Sequence, residues 1–200
     1  TIQGLHDTYD EIFLPLHGKH QAANAASALV AVEAFFGDQP LDIEAVRAGF
    51  AAVTSPGRCE VVHRDPTVIL DAAHNPHGAK ALAQTLKSEF NFDEIVAVVG
   101  VFGDKDALGI LQELEPIVDH VIVTQSSSSR AMSSSDLEKL ATSVFGNDRV
   151  FEVKDLHTAL DRAVGDATRP LSEDTVGIIV TGSVVTVGEA RTYLRKKFAK

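Results

Sequence analysis

From Thr67 onward the chain alternates between short apolar runs and segments of helical periodicity, and this alternation constrains its fold more than any other feature. Strand-like runs fall at 67–71, 95–101, 118–124, 149–153 and 176–181, and helical patterns at 77–90, 106–115, 134–145, 156–167 and 186–198. Strands separated by helix-length connections pair in parallel through right-handed crossovers. The pattern therefore predicts an α/β fold: a doubly wound, mostly parallel sheet with helices on both faces. Ile95-Val96-Ala97-Val98-Val99 is apolar without alternation, as a central strand covered on both faces must be.

Residues 1–55 read differently. The short run Ile12-Phe13-Leu14-Pro15-Leu16 precedes an alanine-rich helix from Gln21 to Phe36 and a second helix from about Asp42 to Val53. Leu41-Asp42-Ile43-Glu44 supplies the second with a cap and an acidic first turn. Thr54-Ser55-Pro56-Gly57 is a turn signal. A domain boundary is placed there, giving segments 1–55 and 56–200. Thr1-Ile2-Gln3-Gly4 reads like the middle of a strand or loop rather than a beginning.

The 200 residues are 44% hydrophobic, enough for a full core, yet no apolar run approaches the roughly 18 residues of a membrane span. A formal net charge of -10 argues against nucleic acid, which needs a basic stripe, so an anionic ligand must be held by a few local cations. The single cysteine, Cys59, excludes an internal disulfide framework and reads as a small buried hydrophobe in a strand Cys59–Val62. With no basic-then-apolar leader in view, the reading is cytoplasmic.

The chemistry concentrates in Asp71-Ala72-Ala73-His74-Asn75-Pro76-His77-Gly78, between a strand and a helix. The carboxyl end of a parallel strand faces the ligand crevice. Asn75 as N-cap and Pro76 at the first helical position have structural explanations. Asp71 and His74 do not, and an aspartate there can accept hydrogen bonds from a ribose hydroxyl or serve as a satisfied turn residue. Arg58, beside Gly57 at the boundary, either reaches a phosphate or is a solvated surface arginine. Gly100-Val101-Phe102-Gly103-Asp104-Lys105-Asp106 is either a salt-bridged turn or aims Lys105 into the crevice. It lacks the Gly-x-Gly-x-x-Gly fingerprint, which counts against a nicotinamide oxidoreductase. Gly18-Lys19-His20 is not a phosphate loop, and Asn24, early in its helix, is either near a cap or has a separate role. Ser126-Ser127-Ser128-Ser129-Arg130 is a flexible loop or a binding loop, with Ser135 or a neighbour capping the helix that follows.

Together these pieces resemble the Mur ligase superfamily, most closely its folylpolyglutamate synthase and bifunctional dihydrofolate synthase branch. The resemblance rests on His20-Gln21 with Asn24, Pro56-Gly57-Arg58-Cys59-Glu60, Asp71-Ala72-Ala73-His74-Asn75-Pro76, Phe102-Gly103-Asp104-Lys105-Asp106, and Thr181-Gly182-Ser183 leading into Val187-Gly188-Glu189-Ala190-Arg191. These occur in the family's order and span essentially the whole chain. The resemblance implies the end of a central ATPase domain as a helical remnant over 1–55, then a Rossmann-like C-terminal glutamate ligase domain over 56–200. It implies that the phosphate loop and the Mg2+ ligands lie upstream of Thr1, so this chain holds no metal ligand and alone is expected to be inactive.

By position in the family's motifs, Asn24 resembles an ATP-contacting asparagine of the central domain and Arg58 a hinge arginine on the nucleotide phosphates. Asp71 resembles the aspartate on the ATP ribose, His74 its neighbour in that pocket, and Arg130 an arginine that binds the incoming amino acid's carboxylate. No catalytic nucleophile is implied. The implied reaction is ATP-dependent amide formation in which a folate or dihydropteroate carboxylate is phosphorylated and L-glutamate's amine attacks the acyl phosphate. The implied partners are these small molecules, with no nucleic acid or membrane, and the chain is read as a monomer. The competing readings are another Mur-type ligase acting on a cell-wall precursor and a non-catalytic α/β nucleotide-binding module.

Overall fold

The computed structural model describes residues 1–168 and 175–199; 169–174 and Lys200 lie outside the described residues. The chain divides into two compact units, Thr1–Ser55 and Pro56–Lys200.

In the first unit, β1 (Ile2–Gln3) and β2 (Thr8–Tyr9) form an antiparallel pair, followed by helices α1 (Lys19–Phe36) and α2 (Ile43–Ala51). Helix α2 starts where the sequence provides a cap, since the Asp42 side chain accepts from Ala45 N–H. Helix α1 starts at Lys19 behind Gly18, at φ 101° and without a side-chain cap. The buried apolar core of this unit is thin: Tyr9, Leu29 and Val46, with Ile2, Ile12, Leu41, Ile43 and Phe50 packed around them. A buried carboxylate supplements it. Glu33 accepts from Tyr9 Oη at 2.7 Å and from Leu5 N–H at 2.5 Å, which staples the hairpin to α1. Burial alone would raise the Glu33 carboxyl, but the Tyr9 hydroxyl and the Leu5 and His6 N–H groups hold it below its ordinary value.

The second unit contains β3 (Glu60–Arg64), β4 (Thr67–Leu70), α3 (Pro76–Glu89), β5 (Glu94–Val99), α4 (Ala107–Leu114) and β6 (His120–Gln125). It continues with α5 (Ser134–Phe145), β7 (Val150–Asp155), α6 (Leu156–Ala167), β8 (Val176–Thr181) and α7 (Val184–Phe198). Among the described residues these strands form one six-stranded sheet in the order β3-β4-β8-β5-β6-β7. All pairs are parallel except β3 with β4. The last strand, β8, is thus inserted between the first two parallel strands, β4 and β5.

Strand periodicity sorts the core into two layers. Ile69, Ala97, Val99, Val121, Val123 and Ile179 pack with apolar residues of α3, α4 and α5. Val68, Leu70, Val96, Val98, Ile122, Ile178 and Val180 pack with α6 and α7. Adjacent residues on one strand thus enter opposite layers, and both layers are apolar, which explains why the central strands lack polar alternation. The doubly wound sheet expected from the sequence is the one observed.

Element ends differ from the sequence reading for local reasons. Strand β4 stops at Leu70, because the Asp71 side chain turns back to cap its own loop. The 118–124 run becomes β6 at His120, since Val118 N–H still bonds Leu114 O at the end of α4. Cys59 lies just before β3, at φ 48°, rather than inside the strand. Ser133, a neighbour of Ser135, caps α5.

Candidate functional site

Helices α3 and α4, which follow β4 and β5, share one face of the sheet, whereas α7, which follows β8 between them, lies on the other. Connections leaving in opposite directions open a crevice at the carboxyl ends of β4, β8 and β5. The backbone there is tightly cross-bonded. Asp71 N–H donates to Val180 O at 3.0 Å, Gly182 N–H to Ala73 O at 3.1 Å, and Gly100 N–H to Thr181 O at 3.1 Å. Gly182 sits at φ 108°, and a Cβ there would come within 2.6 Å of Gly100 O. The Thr186 hydroxyl, one turn into α7, also donates to Gly100 O, at 3.0 Å.

Asp71 is buried, and its two oxygens divide their work: Oδ2 accepts from Cys59 N–H at 2.8 Å and Oδ1 from Ala73 N–H at 2.9 Å. The hydrogen bond from Ala72 N–H to Gly57 O, at 2.8 Å, closes the same junction. Asp71 therefore ties the loop Gly57-Arg58-Cys59 to the end of β4. Arg58, between the tied residues, is exposed and makes no hydrogen bond or ion pair among the described residues. Such a guanidinium, with its donors turned to solvent at a strand-end crevice, has the chemistry to receive a phosphate.

His74 is half-buried at the entry to α3, with Nδ1 3.0 Å from Ala72 O. A carbonyl only accepts, so Nδ1 carries the proton and Nε2 is the second ring atom, open to accept when the ring is neutral. Asn75 caps α3 by accepting from Gly78 N–H, and Pro76 occupies its first turn.

Arg130 lies in a second loop cluster. Its backbone O accepts from Gly103 N–H at 2.9 Å, and Met132 N–H donates to Val101 O at 2.9 Å, so the turns after β5 and β6 are joined. The Arg130 guanidinium stacks on the Phe102 ring, with Cζ 4.8 Å from the centroid, and Nη2 lies 3.0 Å from each Asp104 carboxylate oxygen. Partial desolvation would raise the Asp104 carboxyl, but the Arg130 hydrogen bond and the Arg130 and Lys105 charges hold it below its ordinary value. Lys105 lies 3.5 Å from Asp104, so this turn is salt-bridged, one of the two readings the sequence left open. Only Nη2 of Arg130 is engaged among the described residues, and the planar fork keeps further donors for a carboxylate.

Asn24 belongs to the first unit. It is exposed on α1, and its side-chain amide donates to Gln21 Oε1 at 3.2 Å. The structure thus brings Arg58, Asp71 and His74 into one crevice and puts Arg130 in the adjoining loops of the same sheet edge. Among the described residues no group of three or more His, Cys, Asp or Glu side chains could hold a metal ion. No step below runs through a metal ion held by this chain.

Three features escaped sequence reading. Glu60 accepts from Gly57 N–H at 2.9 Å and pairs with Arg191, 131 positions away. Glu189 on α7 accepts from the Ser127 hydroxyl and N–H in the serine-rich loop. A cavity of ≈ 450 Å³ opens at the ends of β6 and β7, lined by residues including Ser126, Lys154, His157 and Glu189. Each is made by residues distant in sequence; the only sequence signal was that Glu60, Glu189 and Arg191 fell inside recognisable motifs.

The family described as Mur ligase, glutamate ligase domain, matches residues 57–184. The chain is 52% identical over 202 aligned residues to the dihydrofolate synthase/folylpolyglutamate synthase of Mycobacterium tuberculosis, covering 96% of this chain and 42% of that protein. The corresponding enzyme of Escherichia coli is 35% identical over 91% of this chain and 39% of its own length. Among solved structures, M. tuberculosis folylpolyglutamate synthase complexed with ADP and AMPPCP superposes with a TM-score of 0.89 at 55% identity, over 95% of this chain and 43% of that one. E. coli FolC in complex with DHPP and ADP superposes with a TM-score of 0.81 at 28% identity, over 96% and 43% respectively. The chain thus spans less than half the length of these relatives.

Proposed function

The chain belongs to the Mur ligase family through its glutamate ligase domain, and we propose that it is the C-terminal portion of an ATP-dependent folylpolyglutamate synthase/dihydrofolate synthase. The whole protein joins L-glutamate to a folate or dihydropteroate carboxylate through an acyl phosphate. The observation that carries this reading is the 52% identity to a dihydrofolate synthase/folylpolyglutamate synthase across 96% of the chain. The exposed Arg58 on a braced loop at the strand-end crevice supports it independently.

In this reading Arg58 contacts the nucleotide phosphates, and Asp71, besides holding the Arg58 loop, accepts from the ribose, with His74 beside it. Arg130 takes the carboxylate of the incoming glutamate, oriented for it by Asp104 and Phe102. Residues 1–55 form the last part of the ATP-binding domain and contribute Asn24 to the nucleotide. The thin core of that unit and its exposed Phe13, Phe35 and Phe36 support its being part of a larger domain. ATP supplies the activating phosphoryl group, and magnesium would take its protein ligands from outside the described residues. An acyl phosphate hydrolyses if water reaches it, so the chain's share of the chemistry is to position phosphate and amine and to exclude water. No side-chain nucleophile is required.

The test is glutamate-dependent ADP formation by the full-length protein with dihydropteroate, tetrahydrofolate or a cell-wall precursor as acceptor. Turnover with the first two is expected; turnover with the cell-wall precursor alone would move the protein to another branch of the family. In the same assay Arg58→Ala should raise the KM for ATP about 10-fold, the worth of one charge-assisted contact, with the KM for glutamate little changed.

A further inference from the structure

The loop that carries Arg58 is held at each end by Glu60 of β3 and by the residues after β4, and Glu60 is itself held by helix α7. Gly57 donates through N–H to Glu60 Oε2 at 2.9 Å and accepts through O from Ala72 N–H at 2.8 Å. Cys59 donates to Asp71 Oδ2 at 2.8 Å. Both neighbours of Arg58 lie in the left-handed region, Gly57 at φ 70° and Cys59 at φ 48°. For cysteine that conformation is unfavourable, so the loop keeps its shape only while its hydrogen bonds persist.

Glu60 is in turn fixed by α7. Arg191 Nε lies 3.0 and 2.9 Å from the two Glu60 oxygens, and Arg195 Nη2 lies 3.5 Å from Oε1. Val187, one turn before Arg191, packs where a Gly57 Cβ would stand, its Cγ1 only 2.9 Å from that position. Val187, Arg191 and Arg195 recur at four-residue spacing, so one face of α7 meets the loop. The helix itself is anchored at the crevice by the Ser183 cap and by the bond from Thr186 to Gly100. The Glu60–Arg191 pair is partly buried, with side-chain exposures of 18% and 27%, so water screens it less than it does a pair on the open surface.

From this geometry we infer that Glu60 and Arg191 are positioning residues for Arg58: their ion pair transmits the fixed position of α7 to the loop and aims the arginine into the crevice. The inference rests on the reading of Arg58 as a phosphate contact. Glu60 is engaged by Gly57 N–H and Arg191, so the inference gives neither Glu60 nor Arg191 a ligand contact of its own. Their whole effect on nucleotide use passes through Arg58.

The experiment is a double-mutant cycle in the full-length protein, reading kcat, both KM values and the thermal midpoint for Arg58→Ala, Glu60→Gln and the combination. Arg191→Gln is the parallel partner should Glu60→Gln fail to fold. Glu60→Gln is expected to raise the KM for ATP roughly three- to tenfold while leaving that for glutamate in place. In the Arg58→Ala background it should have no further effect on the KM for ATP, whatever it does to the midpoint. Multiplying effects, or an unchanged KM for ATP beside a lowered midpoint, would show a structural brace only and overturn the inference while leaving the Arg58 reading intact. An Arg58→Ala protein with normal ATP dependence would overturn both.

Discussion

At the scale of single residues, Asp71 was conspicuous in the sequence because a carboxylate at the end of an apolar strand needs a reason. The structure supplies one in two backbone N–H groups, those of Cys59 and Ala73. Asp71→Asn puts an amide NH2 against one of these donors, so it should destabilise the second unit by about 1–3 kcal/mol, measurable by urea denaturation, before any effect on nucleotide. Cys59, beside it, was legible as a buried hydrophobe. Burial, then the charges of Asp71 and Glu89, push its thiol from 9.0 up to about 12. The neutral thiol is the buried form, so its contribution to stability is intact below pH 9 and is lost as pH rises from there toward about 12. At pH 8 the native protein should resist iodoacetamide while the urea-unfolded chain is alkylated readily; equal rates would place the thiol at the surface. Arg58 shows the limit of sequence at this scale: its residue type and hinge position were visible, but the Glu60–Arg191 pair that steadies it links positions whose proximity no local pattern encodes.

At the scale of elements, the helices and strands of the second unit were readable because each carries its own period and most helices their own cap. The side chains of Asn75, Asp106, Ser133, Asp155 and Ser183 each accept a backbone N–H at the head of a helix. What local pattern did not provide was the junction between elements. Gly182 joins β8 to α7 at φ 108°, with no room for a Cβ beside Gly100 O. Gly182→Ala must therefore shift either the end of β5 or the start of α7. A loss of about 1–3 kcal/mol is expected, read as a lower urea midpoint, together with weaker nucleotide binding in the full-length protein. A protein with unchanged stability would show that this junction tolerates movement.

At the scale of the whole molecule, the two units differ in how much apolar surface they bury internally. The second has two extensive core layers flanking one sheet, whereas the first has four buried apolar residues, Tyr9, Ala25, Leu29 and Val46, and an apolar groove of ≈ 410 Å³ between α1 and α2. Small units with thin cores are marginal, so residues 56–200 expressed alone should melt cooperatively by circular dichroism and 1–55 alone should not. A cooperative transition in the isolated 1–55 segment would refute this. The sequence by itself determined the α/β class and the order of helices and strands from Thr67 onward, though not the β1–β2 hairpin, because hydrophobic period, caps and turn residues act over a few positions. Tertiary structure alone decided that β8 inserts between β4 and β5, which sets the start of α7 at the crevice and brings Glu60 to Arg191 and Ser127 to Glu189. The physical reason is that strand order depends on which burial of both sheet faces is best satisfied overall, a sum over distant contacts that no local window contains.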